Sequence, residues 1–437
     1  VDPLTSGLLV MAALIVLLLS GAPVAFSLGS VAIIFLVISG GLSSLSIVAD
    51  TLFGGLNEFA LLSIPMFILM GAAVASSRAG ADLYEALERW LYKVPGGLLI
   101  SNLGACSIFA ALSGSSPATC AAIGKMGIPE MKKRGYPSAL ATGAIAAGGT
   151  LGILIPPSIT MIVYGISTGT SIGRLFIAGI IPGLMLTVFF MAWSLYYAAR
   201  KGYRFKLGDT GFSWRQKLEI LPRVLPFLFI IAAVLWSLYG GVATPSEAAG
   251  VGAFFAIILV VFIYRMWRAR ELWEILRSAT RESVMIMMII GAAALFSYMM
   301  SSLFITQSLA EWIAALNVSP WILLLFINLF LLVAGLFLPP VAVIVMAAPT
   351  LVPIIQHHGY DPIWFGVVLT INMEIGLITP PVGLNLYVIN GIAPDVKLPT
   401  ILWGALPFML CMVLAIILLT VFPEIATWLP THLMGSG

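Results

Sequence analysis

Apolar residues dominate this chain in long runs, not in the alternating pattern of a strand. The runs at 4–19, 24–38, 59–75, 225–238, 251–263, 284–295, 321–338 and 401–422 contain no Asp, Glu, Lys or Arg. A helix of about 20 apolar residues crosses a bilayer core. Lipid offers the backbone no hydrogen-bond partner, so a spanning segment must be a helix or a closed-barrel strand. A barrel strand places a polar residue at every second position, and Met-Ala-Ala-Leu-Ile-Val-Leu-Leu-Leu at 11–19 does not. The pattern predicts an all-α polytopic membrane protein.

Composition agrees. The 437 residues are 61% hydrophobic and 9% charged, against about 25% charged in soluble domains, which leaves room for about ten to a dozen spans. Cys106, Cys120 and Cys411 are scattered, and His357-His358 lie far from His432, so neither a metal site nor a histidine base is indicated. The opening Val1-Asp2-Pro3 has no basic region of the kind that begins a cleavable signal.

Placing the charges predicts a topology. Basic residues cluster at Arg78, Arg89 and Lys93; at Lys125, Lys132, Lys133 and Arg134; at Arg200, Lys201, Arg204, Lys206, Arg215, Lys217 and Arg223; and at Arg265, Arg268, Arg270, Arg277 and Arg281, with Lys397 alone. One path has spans near 4–20, 22–40 and 58–77, a re-entrant hairpin over 96–134 entering from inside, and spans near 138–170 and 173–199. It continues with spans near 224–240 and 245–263, an arm at 265–281 and a span at 282–302. A second hairpin over 319–357 enters from outside, and spans near 361–391 and 400–422 follow. This path leaves 20 of the 21 Lys and Arg residues inside, Arg174 being the exception, as the positive-inside rule requires. It puts both termini outside.

The two halves repeat at an offset of 224 residues. Pro129 matches Pro353, Gly135-Tyr136 matches Gly359-Tyr360, Gly152 matches Gly376, and Pro156-Pro157 matches Pro380-Pro381. The loop before each repeated segment is Lys132-Lys133-Arg134 in one half and Gln356-His357-His358 in the other. A basic loop in one copy and an uncharged one in the other places the copies on opposite sides, so the repeats are inverted. Inverted repeats with interrupted helices in matching positions point to a transport site near the bilayer midplane.

Each Pro-Pro segment should break its helix. The freed carbonyls must face protein or a polar cavity, where they suit Na⁺, and half-helix amino ends suit anions. The first hairpin tip, Ser113-Gly114-Ser115-Ser116-Pro117-Ala118-Thr119, is rich in hydroxyls, and hydroxyls and carbonyls are hard ligands for an alkali cation. The second tip, Gly335-Leu336-Phe337-Leu338-Pro339-Pro340, would offer main-chain carbonyls. Glu374 is an acid deep in an apolar span and is functional by default. The stretches 78–93 and 265–282 mix charges with Trp90, Leu91, Leu272, Trp273 and Leu276, as helices lying in the interface plane do.

The runs Ser-Gly-Ser-Ser-Pro-Ala-Thr (113–119), Gly-Gly-Thr-Leu-Gly-Ile-Leu-Ile-Pro-Pro-Ser (148–158) and Glu-Ile-Gly-Leu-Ile-Thr-Pro-Pro-Val-Gly-Leu-Asn (374–385) resemble the large membrane subunit of tripartite ATP-independent periplasmic (TRAP) transporters. The resemblance covers nearly the whole chain. It implies an elevator-type ion-transporter fold, with a scaffold (1–95 and 201–318) and a moving transport part (96–200 and 319–430). It also implies residence in the bacterial inner membrane, coupling to two or more Na⁺, a small membrane subunit of about four spans, and a periplasmic binding protein that delivers a carboxylate. One Na⁺ site is implied at Ser113, Ser116 and Thr119 with Gly149, Thr150 and Gly152. The other is implied at Gly335 and Leu338 with Gly376 and Thr379. Substrate is expected near Ser115, Ser116 and Ser158, with Glu374 as a further candidate. Many relatives carry an acidic residue near the second tip, where this chain has Leu338-Pro339-Pro340. Sialic acid is the expected substrate on overall likeness, with a C4-dicarboxylate or another organic acid as the alternative.

Other classes fit less well. A nucleophilic serine needs a base within hydrogen-bond reach, and no His or Lys falls at membrane depth on this path, so an intramembrane hydrolase is disfavoured. A passive channel can also use broken helices, but it would not show substrate-driven exchange. Gly124-Lys125 lacks the glycine and the Ser/Thr of a phosphate loop, which argues against direct ATP coupling.

Overall fold

The computed structural model describes residues 2–94, 96–200, 212–315 and 319–435. Lys201, Arg204 and Lys206 of the large basic loop lie outside the described residues. The described residues form helices and turns, with no strand among them. Among the described residues, eight helices are long and apolar enough to cross a membrane. Both hairpins and both broken helices are present, so the chain has the inverted-repeat helical fold expected of it.

Local chemistry explains where the helices start. Ser319-Pro320 and Asp361-Pro362 each combine an oxygen cap with a proline in the first turn, where the missing N–H costs nothing. Asp361 Oδ1 accepts from Ile363 N at 2.6 Å. Thr244 and Glu247 form a reciprocal capping box that opens the helix after Gly240-Gly241.

The first hairpin is Gly97–Ser113 and Ser116–Lys133, followed by a helix at Ser138–Thr150. The second is Pro320–Phe337 and Pro340–His357, followed by Pro362–Leu377. Ser116, Lys133 and Ser138 bound elements whose counterparts, Pro340, His357 and Pro362, stand 224 positions later. The Pro156-Pro157 and Pro380-Pro381 bonds are both cis, and Gly135 and Gly359 both have φ +81°. The sequence offset is therefore a structural repeat.

Contacts identify two opposite ends. At one end Lys132 pairs with Asp395 at 2.7 Å, Arg134 pairs with Glu88, and Arg223 approaches Asp82 at 4.0 Å. At the other end Thr168, Arg174, Gln356, Asp361 and Thr431 line one polar cavity of about 400 Å³. The base of the first hairpin lies at the basic end and that of the second at the opposite end. The one basic residue that the predicted path left outside, Arg174, shares a cavity with the second base.

The path needs three amendments. The arm at 265–281 and the span at 282–302 are one continuous helix, Ala269–Ser302. At about 1.5 Å per residue it is some 50 Å long, so no break separates its charged and apolar parts. A helix at Ser46–Leu56 packs on it through close approach of Gly55 to Ala294. A last helix, Glu424–Met434, packs on Ile172–Arg200 after the final span. Both added helices are 11 residues long, too short to register as spans. The arm Ala79–Leu91 packs on the first hairpin, with Gly80 set against Ala122.

Candidate functional site

Each broken helix stops where its hairpin tip arrives. In the first half, Ser138–Thr150 tightens into a 3₁₀ turn at Leu151–Ile153, and the chain resumes as Ile159–Thr168. In the second half, Pro362–Leu377 stops and Leu384–Ile392 follows. Glycine permits the approach in both. A Cβ on Gly152 would lie 2.6 Å from the Ser115 carbonyl oxygen, and one on Gly376 would lie 2.4 Å from the Gly335 carbonyl oxygen. Any side chain there would push tip and break apart.

The first tip concentrates oxygen. Ser113 Oγ and Thr119 Oγ1 are 2.7 Å apart, and the Ser115 carbonyl accepts from Thr119 at 3.0 Å and from Ser113 at 3.3 Å. Gly152 closes this group from the broken helix. Gly149 packs on Cys120. The Thr150 hydroxyl turns back to the Ala147 carbonyl at 2.7 Å, so it faces its own helix and not the tip.

Ser116 points the other way. Its hydroxyl accepts from Asn385 Nδ2 at 2.7 Å and lies 3.1 Å from Asn385 Oδ1, and Nδ2 also donates to the Ala146 carbonyl at 3.0 Å. Asn385 is fully buried. This one amide ties the first tip to both broken helices.

The second tip is backbone in character. The Leu336 carbonyl accepts from Val382 N at 3.2 Å, and Leu338 has extended backbone. The Thr379 hydroxyl donates to the Ile375 carbonyl at 2.6 Å and lies 3.5 Å from Met409 Sδ.

Between the tips lies a cavity of about 110 Å³. Ser115, Ser116, Pro339 and Pro340 line it from the hairpins, and Thr160 lines it from the first break. The helix Ala269–Ser302 closes it with Glu282, Met285, Ile286 and Ile289. Glu282 is the one charged side chain on its described lining.

Two residues expected near substrate are not on the described lining of this cavity. Ser158 caps Ile159–Thr168, its hydroxyl accepting from Met161 N at 3.3 Å and donating to the Ile153 carbonyl. Glu374 is fully buried, and neither carboxyl oxygen has a hydrogen-bond partner among the described residues. A bare carboxylate in such a place costs several kcal/mol, so it requires a cation or a proton. Sequence reasoning passed over Asn385, Thr160 and Glu282 as site residues. Asn385 ends a conspicuous motif, but nothing local signals its bond to a serine 269 positions away.

Comparison with known proteins agrees with this architecture. Residues 11–425 match the family "Tripartite ATP-independent periplasmic transporter, DctM component". The C4-dicarboxylate TRAP transporter large permease protein DctM of Pseudomonas aeruginosa is 40% identical over 385 residues, covering 88% of this chain and 89% of that protein. The sialic acid TRAP transporter large permease protein SiaM of Vibrio cholerae is 31% identical, covering 96% and 97%. The YdaH transporter of Alcanivorax borkumensis superposes with a TM-score of 0.66 at 16% identity, covering 89% of this chain and 90% of that one, which speaks to fold alone. An inverted pair of hairpins meeting two chain breaks, together with a family match over nearly the whole length, makes this multi-span membrane protein a member of the DctM component family of tripartite ATP-independent periplasmic transporters, a transporter permease subunit and not an enzyme.

Proposed function

We propose that the chain takes up a small carboxylate across the bacterial inner membrane, driven by Na⁺, with the hairpin-bearing segments (96–200 and 319–430) moving against the remainder. In this reading the basic end is cytoplasmic, both termini are periplasmic, a small membrane subunit of about four spans completes the permease, and a periplasmic binding protein delivers cargo. The observation that carries it is the meeting of two oppositely directed tips with two chain breaks around one small cavity. The oxygen group at Ser113, Ser115 and Thr119 suits one Na⁺, and the carbonyl-rich second tip with Gly376 and Thr379 suits another.

For the substrate, a C4-dicarboxylate is better supported than the sialic acid expected from overall likeness. Identity is 40% to a C4-dicarboxylate permease and 31% to a sialic acid permease. A dianion with two Na⁺ is electroneutral, so the membrane potential, worth about 2.3 kcal/mol per charge at 100 mV, contributes only with a third cation.

The test is uptake by the complete transporter in proteoliposomes, comparing labelled succinate with N-acetylneuraminate under an inward sodium gradient. Succinate should accumulate, and counterflow should persist without a gradient. Thr119→Ala and Thr379→Ala should each need more sodium for half-maximal uptake. Wild-type sodium dependence in both variants would remove the proposed ion sites. Uptake without counterflow would indicate a channel.

A further inference from the structure

The hairpin tips lie level with the middle of the continuous helix Ala269–Ser302, at the charged end of its apolar part. The cavity touches Ala269–Ser302 between Glu282 and Ile289, and Glu282 directly follows Arg281, the last basic residue of that helix. From Ile289 to Ser302 the helix runs a further 20 Å or so, at about 1.5 Å per residue. A second contact gives the same level. A Cβ on Gly71 would lie 2.6 Å from the Ser113 carbonyl oxygen at the first tip. Gly71 is about 8 Å along its helix from Ser76, two residues before Arg78, and about 12 Å from its start at Ser63. Both contacts put the tips near the basic end.

We propose that Glu282 is an unloading residue: a fixed carboxylate that the anionic cargo meets only when the site reaches the basic, cytoplasmic end. This rests on the carboxylate-carrier reading above. No other charged side chain lines the cavity among the described residues. No ion pair involves Glu282 there either. It belongs to the continuous helix and not to either hairpin, so displacement of the tips towards Ser302 leaves it behind. Cargo thus faces hydroxyls and cations in both positions, with a repelling carboxylate added in one. At an effective dielectric of roughly 40 and a separation of about 8 Å, one pair of like charges weakens binding about sixfold. A site that holds its cargo less well on the inner side releases it faster there, which favours net uptake over futile exchange.

The experiment uses the complete transporter in proteoliposomes, with labelled succinate as the probe. Wild type, Glu282→Gln and Glu282→Asp are compared in sodium-driven net uptake and in succinate exchange at equal sodium. Glu282→Gln should lower the internal succinate needed for half-maximal exchange about sixfold per cargo charge. It should slow net uptake by a similar factor while maximal exchange is kept, and Glu282→Asp should resemble wild type. Unchanged internal half-saturation in Glu282→Gln, or equal loss of uptake and exchange, overturns the proposal. If wild type moves succinate in neither assay, the carrier reading falls, and the inference with it.

Discussion

Replacing Gly376 by alanine tests the apposition on which the site depends. In the wild-type backbone the new Cβ would sit 2.4 Å from the Gly335 carbonyl oxygen and 2.7 Å from its carbon, roughly an ångström short of ordinary contact. Neither neighbour is the end of a flexible side chain, so tip and broken helix must separate. Overpacking of this kind costs about 1–3 kcal/mol, and a binding constellation tolerates only about 0.5 Å of displacement. Gly152→Ala repeats the experiment in the other half, against Ser115. Gly391 provides the control, because nothing lies within 4 Å of its would-be Cβ and it sits inside Leu384–Ile392. There alanine should stabilise by about 0.5–1 kcal/mol through backbone entropy. Thermal unfolding of the purified protein and sodium titration of succinate uptake read the two consequences. Gly376→Ala should unfold earlier and raise half-saturating sodium about tenfold or more, and Gly391→Ala should unfold slightly later with unchanged sodium dependence. If Gly376→Ala and Gly391→Ala behave alike in both assays, the close approach of tip and break does not shape the site.

Two further outcomes follow from specific contacts. Asn385→Ala strands the buried Ser116 hydroxyl, at about 1–3 kcal/mol for a group left unpaired; with Ser116→Ala, a double-mutant cycle on thermal stability should show coupling above about 0.5 kcal/mol, and simple additivity would deny the bond. At the basic end, burial holds the Glu88 carboxyl above the usual carboxylate range, and the Arg134 guanidinium offsets this only in part. The folded state then binds the Glu88 proton more tightly than the unfolded chain, so this group's contribution is present at acid pH and lost as pH rises from the ordinary value of 4.5 through its folded pKa. Melting temperature against pH should flatten over that window in Glu88→Gln, and an unchanged profile would rule the group out.

Much of the fold was legible in the sequence because lipid simplifies the problem. A spanning segment must satisfy its own backbone, so charge-free runs become helices, and two prolines in succession must interrupt them. Inversion was legible too, since basic loops sort to one side and Lys132-Lys133-Arg134 faces Gln356-His357-His358 across the repeat. The fused helix Ala269–Ser302 was not, because a change from amphipathic to apolar composition does not by itself mark a chain break. The helix Ser46–Leu56 was missed for its shortness.

Composition and spacing alone determined that oxygen-rich and proline-rich segments recur in inverted register. That information is local, carried by residue type and by the demands of a solvent without hydrogen bonds. Only tertiary structure decided where each hydroxyl points: Ser113 and Thr119 towards each other, Ser116 towards Asn385, and Thr150 and Ser158 to nearby carbonyls. A hydroxyl chooses among acceptors by geometry, and the acceptors come from elements far apart in the chain. The same reason hid Glu282, whose place in the cavity depends on how far the tips stand along a helix packed beside them.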